Sequence, residues 1–172
     1  MILLFLTALI VSAPKEGPRP KFKGVHRVHR QAQKVISLYN YHTQEILPLG
    51  NPSRTQVRYF FRCRVTALPA PLDMKLLKIL AMSARHFGKQ EITIISGYRS
   101  PRFNTELRKK LHQVAPRSLH TLGKAVDFTI PGIKPGEVAR WLRRKKLGGV
   151  GFYKTSKFLH FDTGTVRSWK GI

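Results

Sequence analysis

Cysteine is nearly absent. Cys63 stands alone in the chain, which excludes an intramolecular disulfide and any cysteine-built metal knuckle, and leaves histidine and carboxylate as the available zinc ligands. Acidic residues are scarce as well: eight Asp and Glu face 32 Lys and Arg, a formal charge of +24. Such an excess points to anionic surroundings, whether nucleic acid, an acidic membrane surface or an anionic envelope polymer. The apolar run at 1–13 is too short to cross a bilayer, which takes about 20 residues, so no stable membrane span is expected. No internal repeat is visible.

What is present divides the chain into three. Residues 1–13, an apolar run followed by small residues and Pro14, have the form of a secretory signal core, although no Lys or Arg precedes Lys15 to give the usual basic start. The expectation is export to the periplasm or cell envelope. Residues 14–34 are basic and rich in Pro and Gly without apolar periodicity, and predict a flexible linker. His26 and His29 within it read as solvated surface. The remainder, 35–172, has the length of one domain, and an apolar content of 42% over the chain suffices for a core.

Alternating apolar and polar residues on both sides of Gly50-Asn51-Pro52-Ser53 predict an early hairpin within 35–67. Helical spacing over 72–87 predicts an amphipathic helix stopped by Gly88. A short strand follows at 91–96, then a basic helix over 102–113, a strand over 124–130, and a helix begun by Pro135 and running to 146. Two strands, 149–153 and 157–162, are expected to close an α+β fold with a mainly antiparallel central sheet and flanking helices.

Strand periodicity locates the chemistry. Successive side chains alternate between sheet faces, so Val126, Phe128 and Ile130 share one face while Asp127 takes the other. By the same rule Leu159 and Phe161 oppose Phe158, His160 and Asp162. If both apolar faces enter one core, then Asp127, His160 and Asp162 project together into a cleft. His120 precedes Asp127 by seven residues, with Gly123 between them to bend the loop back. Two imidazoles and a carboxylate form a catalytic zinc set with a fourth position left for water. The spacing alone is not specific, because single His and Asp residues on strands are commonly surface or hydrogen-bonded core residues.

Four strings add to this reading: Ser96-Gly97-Tyr98-Arg99-Ser100-Pro101, Ser118-Leu119-His120-Thr121-Leu122-Gly123-Lys124-Ala125-Val126-Asp127, Gly148-Gly149-Val150-Gly151-Phe152-Tyr153 and Phe158-Leu159-His160-Phe161-Asp162-Thr163-Gly164. Together they resemble the zinc D-alanyl-D-alanine peptidase group, which shares its metal core with the hedgehog signalling domain, and especially its branch of small secreted envelope proteins. His42-Thr43-Gln44-Glu45 resembles a short motif of the same branch. The resemblance implies a Zn2+ site at His120, Asp127 and His160. It places Arg99 in the cleft to bind substrate or steady the developing oxyanion, and Ser118 on a substrate carboxylate or amide, although Ser118 also suits a turn cap. It implies peptidoglycan or its peptide fragments as the substrate, cut by metal-activated water.

One departure concerns the base. Many members of the group carry Glu three residues before the last ligand, where this chain has Lys157, and no Glu occurs from Gly148 onward. Asp162 is the nearest carboxylate and becomes the candidate general base or the partner that orients His160. A zinc-containing domain that binds wall peptide without cutting it is the alternative. Nucleic-acid binding rests on charge alone, since the basic residues are spread along the chain rather than clustered with aromatics, and no specific nucleic-acid partner is expected.

Overall fold

The computed structural model describes residues 35–111 and 114–171. The expected leader at 1–13, the linker at 14–34 and the His26/His29 pair lie outside the described residues. The described residues form one compact unit. Its elements run β1 Ser37–Asn40, β2 Ile46–Pro48, α1 Arg54–Phe60, α2 Lys75–His86, β3 Glu91–Ser96, α3 Pro101–Lys110, a short 3-10 helix Leu119–Leu122, β4 Ala125–Thr129, α4 Pro135–Lys145, β5 Gly149–Tyr153, β6 Phe158–Asp162 and β7 Arg167–Gly171. The strands form one sheet in the order β2-β1-β3-β4-β6-β5-β7. Four pairings are antiparallel, and β1 with β3 and β5 with β7 are parallel, so the fold is α+β with a mostly antiparallel sheet. None of the described helices is long and apolar enough to cross a membrane.

The early hairpin exists, but not where alternation put it. The expected second strand is the helix α1, and the hairpin closes within the first segment, β1 against β2. Ser53 decides the matter: its side chain accepts from the Gln56 amide while the Gln56 side chain accepts from the Ser53 amide, a reciprocal cap that starts a helix. Val57 and Phe60, three apart, then fall on one buried face. The closing element also differs from expectation, because β7 follows the two foreseen strands and occupies the sheet edge beside β5.

One face of the sheet carries the core. Phe128, Phe161, Leu159, Ile92, Ile94 and Val126 are fully or almost fully buried, and they meet Leu76 and Leu80 of α2 and Val138 and Leu142 of α4. Burying each large apolar side chain contributes about 1.5–3 kcal/mol. The core therefore fixes the strand register, since a slip of one residue would turn each of these side chains outward. The opposite face carries Asp127, His160 and Asp162, as the alternation requires.

Gly123 closes the 3-10 helix with φ at +63°, and its amide bonds the His120 carbonyl at 3.2 Å. A β-carbon there would lie 2.4 Å from the Pro71 carbonyl oxygen. Gly123→Ala is expected to lower the urea unfolding midpoint, read by circular dichroism, by the equivalent of about 2–4 kcal/mol, from the left-handed backbone and the collision together. A shift within about 0.5 kcal/mol would mean that the turn relaxes freely.

Candidate metal centre

A single row of residues crosses the sheet: Ser96 pairs with Asp127, Asp127 with His160, His160 with Gly151, and Gly151 with Trp169. The register shifts between Ile94 and Ser96, so β3 spends one extra residue and brings Ser96 rather than Ile95 opposite Asp127. His120 enters from above on the 3-10 helix, capped by Ser118 and turned back by Gly123. The sharp turn explains how seven residues return the chain to the same point.

His120, Asp127 and His160 are buried, at 1%, 3% and 8% exposure, yet their polar atoms converge. His120 Nε2 lies 3.2 Å from Asp127 Oδ1 and 3.2 Å from His160 Nδ1, and His160 Nδ1 lies 2.9 Å from Asp127 Oδ1. A tetrahedral ion bound at about 2.0–2.1 Å holds its ligand atoms about 3.3 Å apart, so the triangle has the size that a metal needs. The proton inventory agrees. His120 Nδ1 faces the Gly97 carbonyl oxygen at 2.7 Å, and His160 Nε2 faces Asp162 Oδ2 at 3.0 Å. Both partners only accept, so each ring spends its N–H outward and turns a lone pair inward. With both rings neutral, three acceptors face one another, an arrangement that a bound cation would satisfy.

The charges around the triangle are balanced from outside. Burial works against the Asp127 carboxylate, but His120 and Arg99 hold it well below the usual range. Arg99 Nη2 donates to Asp127 Oδ2 and its Nε to Ser96 Oγ at 2.9 Å, so the oxygen turned away from the triangle is also paired. Burial lowers His120. It also acts to lower His160, but there the hydrogen bonds to Asp127 and Asp162 outweigh it and raise the ring, so proton and metal ion compete for Nδ1.

Asp162 is fully buried and is not part of the cleft lining. Its carboxylate lies behind His160 and accepts from His160 Nε2 at 3.0 Å, from Arg167 at 2.8 and 3.1 Å, and from the amides of Gly164 and Gly149 at 3.0 and 3.3 Å. Against the effect of burial, those donors lower its pKa to about 2. Arg167 can reach it because Gly149 stands between them in the row: a β-carbon there would lie 2.4 Å from Asp162 Oδ2. Gly151 clears the next row in the same way, where a β-carbon would meet Trp169 at 2.6 Å. Ser118 lines the cleft, and its Oγ accepts from the His120 amide at 3.4 Å as a turn cap does.

The centre opens into a cleft of about 850 Å³. Arg64, Arg99, Lys110, Arg117 and Arg167 line it, with Tyr153, Phe158 and Trp169 as an aromatic wall, and Asp127 is the one carboxylate lining it among the described residues. Ser96, Arg167 and Trp169 escaped the sequence reading. The alternate glycines of β5 were the available signal, since small residues on one face of a strand leave room for large neighbours.

Three candidate ligands lining an open cleft have the arrangement of a catalytic rather than a structural metal site. Residues 28–169 match the M15 peptidase family described as peptidoglycan L,D-endopeptidase MepK, and the chain belongs to that family of metallopeptidases. The peptidoglycan L,D-endopeptidase MepK of Escherichia coli strain K12 is 43% identical over 145 residues, covering 79% of this chain and 80% of that protein. The probable peptidoglycan L,D-endopeptidase MepK of Haemophilus influenzae is 46% identical over 82 residues, 48% of this chain and 44% of that protein, so this match spans less than half of either. No solved structure gives a significant match.

Elemental analysis after dialysis should find about one metal ion per chain in the wild type and none in His120→Ala or Asp127→Ala. Asp162→Ala should still bind the ion, about 10- to 100-fold more weakly, because it loses only the group that orients His160. Full metal content in Asp127→Ala would refute the assignment of the triangle.

Proposed function

We propose that the protein is a zinc-dependent endopeptidase that cuts amide bonds in peptidoglycan peptides within the periplasm or cell envelope. The observation that carries this reading is the triangle of His120, Asp127 and His160 lone pairs at the floor of a cationic cleft. Two neutral imidazoles and one carboxylate at tetrahedral spacing suit Zn2+, which would polarise the scissile carbonyl and acidify water. The similarity to peptidoglycan L,D-endopeptidases supports peptidoglycan as substrate and a bond of the L,D type. The excess of cations suits a protein held against anionic envelope polymers, and the signal-like sequence at 1–13 suits export.

The residues divide the work. Arg99 has five N–H donors and commits one to Asp127 and one to Ser96, which leaves three for the oxygen that gains charge during amide hydrolysis. Ser118 spends its Oγ lone pair on the cap, so its O–H is available to a substrate carboxylate or carbonyl. Tyr153, Phe158 and Trp169 exclude water from one side. Asp162 positions His160 by taking its Nε2 proton in a hydrogen bond, and its saturated, buried carboxylate suits that role better than that of a base.

The absence of a second cleft carboxylate among the described residues favours one other reading, binding without hydrolysis. Lys157, where the wider group has Glu, is exposed with φ at +54°. Incubation with purified sacculi followed by muropeptide chromatography separates the two. Loss of cross-linked dimers, abolished by chelation and restored by zinc, is expected. Cosedimentation with sacculi and an unchanged muropeptide profile in the presence of zinc would overturn the peptidase reading. In zinc-saturated Asp162→Asn, kcat should fall less than about 10-fold, whereas removal of a general base costs about 10²- to 10⁴-fold.

A further inference from the structure

The turn at His42-Thr43-Gln44-Glu45 takes no part in the metal centre, yet it is firmly built. Asn40 Oδ1 accepts from the amides of His42 and Thr43 at 3.0 and 3.2 Å, and Asn40 Nδ2 donates to the Phe60 carbonyl at 3.2 Å. Thr43 Oγ1 donates to Glu45 Oε2 at 2.8 Å, and Glu45 receives both terminal nitrogens of Arg62, at 2.8 and 3.1 Å. The turn is thereby tied to the end of α1 at two points.

That bracing sets His42 on the cleft wall beside Arg64. Arg64 Nη1 lies 3.0 and 3.2 Å from the two ring nitrogens of His42, and its guanidinium rests over the Phe103 ring, 5.0 Å from the centroid. Partial burial and the charge of Arg64 both lower the pKa of His42, so the ring is neutral and the pair carries one positive charge. Arg99 and Arg167 already face Asp127 and Asp162, but Arg64 has no carboxylate partner among the described residues. It is a guanidinium held in place on two sides with its remaining donors open to the cleft. A planar, preorganised fork of this kind matches a carboxylate.

Arg64, His42 and the three candidate ligands line the same cleft. Tyr41 donates to the Ile94 carbonyl at 2.9 Å, which places His42 beside Ile95, and two residues further on the Gly97 carbonyl holds His120. Two residues of chain span at most about 7 Å, so the backbone beside His42 and the backbone that holds His120 lie within the reach of one or two residues of an extended substrate.

We propose that Arg64, positioned by His42, is a specificity subsite that binds a free carboxylate of the substrate peptide one or two residues from the bond that is cut. The subsite rests on the peptidase reading, and its test reads the two separately. The probes are a cross-linked muropeptide dimer and the same dimer with the carboxylates next to the cross-link amidated. Calorimetry on the zinc-loaded, full-length protein reads the subsite, and steady-state kinetics reads hydrolysis. Arg64→Gln should weaken binding of the free-acid dimer, and raise its KM, by about 10-fold with kcat within twofold of wild type. Amidation should weaken wild-type binding by a similar factor, and Arg64→Gln should then have no further effect. Arg64→Lys should recover part of the loss, and His42→Ala should give an intermediate rise in KM. Equal binding of both dimers by wild type, or the same loss in Arg64→Gln with both, would overturn the subsite. Tight, carboxylate-dependent binding of a dimer that is never cut would instead sink the peptidase reading and leave the subsite standing.

Discussion

Everything in the site depends on the register between β4 and β6. Asp127 and His160 are directly opposed, and each is flanked along its own strand by core residues, Val126 and Phe128 on one and Leu159 and Phe161 on the other. The apolar side chains hold the register, and the register puts two candidate ligand atoms side by side. A slip of one residue would exchange core and site together, so the site cannot loosen without the core. Burying the Asp127 carboxylate is costly on its own, and Arg99 offsets that cost from the side away from the triangle. The ligand geometry is therefore set by packing on one face and by charge pairing on the other.

Much of this was legible in the sequence, for a physical reason. Alternation along 124–130 and 157–162 is a one-dimensional record of which face is buried, and it puts Asp127, His160 and Asp162 on the same side of the sheet. What it could not record was depth. Asp162 points the same way as His160 but lies behind it, because Gly149 lets Arg167 cross from the neighbouring strand and seal it in. That relation spans three strands and has no local signature. The error over α1 was of another kind: alternation over a few apolar residues suits strand or helix, and the cap formed by Ser53 with Gln56 was the deciding signal. β7 is short and mostly exposed, and only its place beside β5 gives it a role.

The electrostatic character of the cleft is less uniform than the net charge suggests. Two of its arginines are committed, Arg99 to Asp127 and Arg167 to Asp162, and both serve the geometry of the ligands. The remaining cations can attract and orient an anionic polymer without disturbing the centre. Fixed positive charge along the cleft attracts carboxylates and repels cations, so the field there favours acidic groups.

The two bare positions of β5 have a consequence for anyone who would move this centre to another protein. Three ligands could be written onto any antiparallel pair with a histidine-bearing loop above it, and the constellation would still fail. The adjoining strand must be cleared at two alternate positions so that Asp162 can meet Arg167 and His160 can lie against Trp169. A graft would need to carry the empty track along with the ligands, because much of the shape of this centre is encoded by side chains that the chain omits.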